Sequence, residues 1–127
     1  MRHADDRGSV LETVIITPMV LLLFFGALQG ALYFHARNVA VKAAESGLRQ
    51  ARGQHGNGPL GTAAAYAFIA RNGPTVLRSP VVVVLRGPRD ASAHIVAQPI
   101  RLIPFLDLTV TVDETQPVER VTRPGQA

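Results

Sequence analysis

Apolar and polar positions alternate differently in three successive parts of this chain. Residues 10–34, VLETVIITPMVLLLFFGALQGALYF, form an almost unbroken apolar run. It is about 25 residues long, where a bilayer core needs about 20 as helix. Glu12 is its one charged residue and lies at its N-terminal edge, and residues 19–25 are continuously hydrophobic. A core helix of a soluble domain carries a polar stripe at a period of 3.6, and none is present here. The run predicts a single membrane-spanning helix. A cleaved secretory signal is the alternative, with Ala-x-Ala-like spots further along, but its apolar core is only about 7–15 residues.

Helical character continues past the run. Residues 35–52 (HARNVAVKAAESGLRQAR) hold strong helix formers, no proline and one glycine, Gly47. Val39, Ala43, Ala44 and Leu48 fall on one face, with Arg37, Lys42, Glu45 and Arg49 on the other. The glycine-rich stretch 53–61 breaks this helix. Residues 62–71 predict a short second helix, stopped by Asn72, Gly73 and Pro74. Beyond it the period changes to two. Residues 80–86 contain four consecutive valines, 94–103 are apolar-rich, and 106–113 set Leu108, Val110 and Val112 against Thr109, Thr111 and Asp113. Residues 87–91 read as a turn, and Pro99 suggests an edge strand or a bulge. A further short strand is expected at 118–121.

The expected fold is therefore α+β: a long N-terminal transmembrane helix continuing outside the membrane, a short second helix and a small antiparallel sheet. The chain divides into a polar N-terminus (1–9), the membrane helix (10–34), its extension (35–52) and a small domain (53–127). With 127 residues in all, about 90 lie beyond the apolar run, enough for one modest core. Cysteine is absent, so disulfides and thiol chemistry are excluded. The net charge is +4, and of the 13 basic residues only Lys42 is a lysine. These charges are scattered with few aromatics beside them, which argues against a nucleic-acid surface. They suit a solvated exterior or anionic lipid headgroups.

Catalytic signatures are missing from the pattern. His3, His35, His55 and His94 share no metal-ligand spacing. The stretch GQHGNGPLG lacks the lysine and the preceding strand of a phosphate-binding loop. None of Ser9, Ser46, Ser79 and Ser92 sits in a nucleophile elbow. Asp107, Asp113, Glu114 and Glu119 read as a solvated sheet face. The expectation is a protein that is not an enzyme and takes no cofactor.

Three features of the apolar run carry more. Glu12 is costly at the start of such a helix unless it reaches the headgroups or meets a cation, such as the N-terminal amine of a neighbouring chain. Pro18 removes a backbone hydrogen bond and can kink or locally melt the helix. Gly26, Ala27, Gly30 and Ala31 make a small-residue face of the G-x-x-x-G kind that permits close helix packing in lipid.

Arg7-Gly8-Ser9-Val10-Leu11-Glu12, followed by Pro18 and the long apolar run, resembles the N-terminus of the TadE-like family, pilin-like components of the tight-adherence (Tad/Flp) pilus machinery. Ala43-Ala44-Glu45-Ser46-Gly47-Leu48-Arg49 is similar to the alanine-rich stretch with glycine and arginine that follows in that family. Ile103-Pro104-Phe105-Leu106 fits the same impression, and Pro117-Val118-Glu119-Arg120 resembles an ending of actinobacterial members. The resemblance implies an inner-membrane, single-pass protein with its C-terminal domain outside. It also implies cleavage between Gly8 and Ser9 by a prepilin peptidase, a register role for Glu12, and other pilin-like or Tad assembly proteins as partners, besides the lipid bilayer. Glu12 is the fourth residue after Gly8, where pilin-type leaders have the fifth, and Thr13 replaces the customary aromatic. An uncut anchor therefore stands beside the cleaved form. Arg37, Lys42, Arg49 and Arg52 follow the helix, so the positive-inside rule alone favours the opposite topology. The rival functional reading is a membrane-tethered extracytoplasmic binding module unrelated to pili.

Overall fold

The computed structural model describes residues 2–53 and 55–118, with side chains from Gly8 onward. Five elements follow in order: α1 (Arg2–Arg52), α2 (Gly58–Asn72), β1 (Leu77–Arg86), β2 (Asp90–Pro99) and β3 (Val110–Pro117). The strands form one antiparallel sheet in the order β1-β2-β3, which gives the expected α+β architecture.

The long helix has two halves with different surroundings. From Gly8 to Leu28 every side chain is exposed, and α1 is long and apolar enough to cross a bilayer. From Gln29 onward α1 lies against the sheet and α2. Its buried positions are Ala36, Val39, Ala40, Ala43, Ala44, Leu48 and Ala51, the three- and four-residue spacing of one helix face. The alanine-rich side lets both partners come close. Pro18 sits inside α1 without interrupting it, so the helix neither melts nor ends there.

α1 and α2 cross closely at two glycines. A methyl group on Gly47 would lie 2.9 Å from the Gly61 carbonyl oxygen, and one on Gly61 would lie 2.7 Å from the Gly47 carbonyl oxygen. The lone glycine of the 35–52 pattern thus marks the crossing point.

The second helix starts earlier than its alanine-rich pattern suggests, at Gly58 rather than Thr62. Asn57 caps it by accepting the Leu60 N–H at 2.8 Å, and Pro59 stands in the first turn, where its missing N–H costs nothing. The glycine-rich break is correspondingly shorter.

Arg86, the last residue of β1, closes the far end of α1. Its guanidinium donates to the carbonyls of Ala51, Gly53 and Gly56 at 2.9, 2.5 and 2.7 Å, satisfying oxygens left over at the helix terminus. Arg86→Met keeps the stem and strips these charge-assisted bonds. The expected loss is about 2–3 kcal/mol of stability in denaturant unfolding.

The outer edge of β1 is covered by α2. The Tyr66 hydroxyl accepts the Val82 N–H at 3.0 Å and the Thr62 hydroxyl accepts the Val84 N–H at 3.2 Å, so this edge offers no free template for another strand. Between Arg78 and Val81 the register slips by one residue, with Ser79 at φ 49° followed by Pro80. The bulge expected at Pro99 therefore lies on the neighbouring strand. Pro99 instead ends β2, the central strand, beyond the last residue paired to β3.

Strand boundaries shift in one further way. β2 begins at Asp90 and stops at Pro99, so residues 100–103 leave the sheet, and β3 runs over Val110–Pro117 instead of 106–113. The alternation was right in phase, since Val110 and Val112 are buried in the core with Leu48 and Ile95. It was wrong in extent, because the Leu106 and Leu108 positions belong to a loop. Val118 lies just past β3, and the rest of the short strand expected at 118–121 falls outside the described residues.

Glu114 of β3 is half-buried, and that burial, with the Glu45 carboxylate as the lesser cause, pushes its carboxyl above the ordinary range. A raised folded value means the proton is held more tightly in the folded than in the unfolded chain. The benefit is complete below about pH 4 and is lost as pH rises through the raised value. Glu114→Gln is expected to raise stability at pH 7 by no more than about 0.5 kcal/mol and to leave it unchanged in acid. Paired melting curves at the two pH values check this.

Candidate membrane and assembly site at the helix–domain junction

The residues singled out in the apolar run lie along the bare half of α1. Gly8 and Ser9 are exposed and helical, and Glu12 follows on the same exposed stretch. The Thr13 hydroxyl donates back to the Ser9 carbonyl at 2.9 Å, a bond within the helix that an aromatic residue at this position would lack. Gly26, Ala27 and Ala31 are exposed and Gly30 is half-buried. A methyl group added at Gly26 or Gly30 would meet nothing within 4 Å, so the small face has no partner among the described residues. The geometry does not bring Glu12 together with Gly26 and Gly30. About four to five helical turns separate them along α1.

Between the two glycines lies the residue that pattern reading passed over. Gln29 is only 2% exposed, the one buried polar side chain among the described residues. Its amide nitrogen donates to the Ile100 carbonyl at 2.8 Å and its amide oxygen accepts the Leu102 N–H at 2.7 Å. Both hydrogen-bonding ends of one side chain thus hold the loop that leaves β2. An uncharged amide inside an otherwise apolar run was the available signal, since such a group needs partners wherever water is excluded.

The loop itself, residues 100–109, is braced from within. Leu106 N–H donates to the Ile103 carbonyl at 3.1 Å, closing a turn with Pro104 in its second position. Arg101 pairs with Asp107 across that turn at 2.7 Å. Gln29, Arg78, Gln98, Arg101 and Asp107 line a small polar cleft beside it.

On the outer face of the sheet His94 Nδ1 pairs with the Asp113 carboxylate, both exposed and directly opposite in register. Val81, Val83 and Leu85 of β1 are exposed on the same side. The carboxylates Asp107 and Asp113 are thus each engaged by one basic side chain on the surface. Among the described residues no three His, Asp or Glu side chains gather to hold a metal ion.

The decisive comparison covers the helix that carries this junction. Residues 8–49 match the family model of TadE-like proteins. This is about one third of the chain. The TadE-like segment includes Gly8, Ser9, Glu12, the bare half of α1, the Gln29 junction and the packed half as far as the Gly47 crossing. Sheet and second helix lie outside it. No curated protein and no solved structure matches the chain.

Proposed function

We propose that this chain is a pilin-like structural component of a Tad pilus apparatus. Its bare half-helix is held in the inner membrane, and the α+β domain stands on the extracytoplasmic side. The observation that carries the reading is the two-part α1 within the TadE-like segment: one uninterrupted helix, uncovered through Leu28 and packed under a sheet from Gln29 onward. An apolar helix left bare by its own domain is satisfied by lipid or by other helices. Its work is mechanical, with no catalytic group and no cofactor. Gly26, Ala27, Gly30 and Ala31 offer neighbouring helices close approach, and Glu12 sets their register by pairing with a cation on an adjacent subunit. A prepilin peptidase acting between Gly8 and Ser9 would supply that cation as the new N-terminal amine of Ser9.

Glu12→Ala tests the register role. The variant is expected to remain in the membrane while its recovery with assembled pili falls about tenfold, the size of one lost ion pair of about 1.4 kcal/mol in lipid. Unchanged recovery removes Glu12 from assembly. The second reading, a tethered binding module, draws on the exposed Val81, Val83 and Leu85 strip. It requires Glu12 to be dispensable and that strip to be essential.

A further inference from the structure

The domain grips α1 below the end of its apolar run. A bilayer core entered at Thr13 accommodates about 20 helical residues and is left near Leu32. No charged residue interrupts that window. Gln29 lies inside it, yet Gln29 is where the domain begins, because its side chain holds Ile100 and Leu102. The packed domain and the apolar run therefore overlap over residues 29–34, about 8 Å of helix at 1.5 Å per residue. The 100–109 loop is consequently level with the hydrocarbon edge.

The loop has the chemistry of that depth. Its turn carries Leu102, Ile103, Pro104, Phe105 and Leu106 in succession, and Phe105 is 83% exposed with Leu102 at 40%. Ile103 and Leu106 are half-buried, whereas Phe105 and Leu102 leave their apolar surface outside the core. Its backbone is tied by Gln29 and by the Ile103–Leu106 turn bond, and its one flanking cation, Arg101, is paired to Asp107. Arg101 and Arg78 beside the cleft suit the headgroup layer, and Tyr33 and Phe34 of α1 stand at the same level as interfacial aromatics.

We infer that residues 102–106 form a second membrane contact, an apolar turn that dips into the lipid boundary beside α1, with Phe105 as its deepest side chain. The occupant of this surface is lipid, because the loop is continuous with the membrane zone of the helix that bears it. With two contacts the domain is fixed in tilt and rotation about α1. A single helix leaves it free to swivel. The inference rests on the membrane span of the proposed function and adds a contact that the span does not require.

The chain has no tryptophan, so one can be placed at a time as a fluorescent reporter. The full chain is reconstituted into phosphatidylcholine–phosphatidylglycerol vesicles containing phosphatidylcholine brominated either near the headgroup or deep in the acyl chain. Phe105→Trp reads the loop, Phe24→Trp the span, and Arg89→Trp the tip of the β1–β2 hairpin. The expected result is emission loss of about half for Phe105→Trp with the shallow quencher and less with the deep one. Phe24→Trp should respond to the deep quencher, and Arg89→Trp to neither. An unquenched Phe105→Trp beside a quenched Phe24→Trp overturns the loop contact and leaves the span intact. A blue-shifted but unquenched Phe105→Trp assigns the turn to a second copy of the chain and also overturns the inference. An unquenched Phe24→Trp removes the span, and the loop contact with it.

Discussion

Gly61→Val is expected to abolish the folded domain while leaving the chain in the membrane. The first atom of the new side chain would stand 2.7 Å from both the Gly47 carbonyl oxygen and a Val84 methyl, and 2.9 Å from the Ala51 methyl. Two of these neighbours belong to the same rigid helix and the third to the sheet, so relief needs α1 and α2 to separate. Separation uncovers the alanine face of α1, which is most of what the helix contributes to the core. Overpacking of this kind typically costs about 1–3 kcal/mol and more where backbone is struck. A domain this small has little stability in reserve. Thermal unfolding in detergent should show no cooperative transition for Gly61→Val, and a melt at the wild-type temperature would contradict the crossing. Gly26→Leu is the matched control on the bare half of α1. Its side chain meets nothing within the chain, so the melt should stay put while recovery with pili falls.

Gln29→Leu carries the second large effect. The substitution suits the apolar run by itself, and a scale of membrane insertion would favour it. Within this fold it removes both partners of the 100–109 loop at once. The Ile100 carbonyl and the Leu102 N–H, part-buried and 2.8 and 2.7 Å from the amide, are left without protein partners. Two orphaned backbone groups correspond to about 2–4 kcal/mol. The expected outcome is a lower unfolding midpoint together with rapid proteolysis within residues 100–109, while the sheet and α2 remain resistant. Wild-type stability and a protected loop would show that Gln29 is incidental to the junction.

Much of this architecture was legible because its physics is local. A charge-free run of bilayer length needs no tertiary information, and neither does the three-and-four spacing of Val39, Ala43, Ala44 and Leu48. The strands were legible as elements but not in extent. Leu106 and Leu108 continue the alternation of Val110 and Val112, and nothing in alternation distinguishes a paired strand from an apolar loop held by a distant glutamine. The early start of α2 was missed because Gly58, Pro59 and Gly61 read as breakers, although Asn57 and Pro59 together make a helix start. At the candidate site Gly8, Ser9, Glu12, Gly26 and Gly30 stood out in the sequence by motif alone. The use proposed for these positions depends on neighbouring molecules, which one chain does not contain. Gln29 was invisible for the opposite reason. Its partners lie more than seventy residues away, and only the folded domain brings them to it.

The family match and the geometry converge on the same part of the chain. The matched segment ends at Arg49, just past the crossing glycine, and so covers both the bare, apolar half of α1 and the platform on which the sheet rests. The sheet and α2 lie beyond the match.

On the proposed function, this chain is needed for a Tad pilus and works through its bare helix. The most direct measurement is the yield of pilus fibres sheared from cells lacking the chain, then complemented with the wild type or with Gly26→Leu. The expected result is loss of fibres without the chain, recovery with the wild type and little recovery with Gly26→Leu. Equal fibre yield in all of these cells would contradict it.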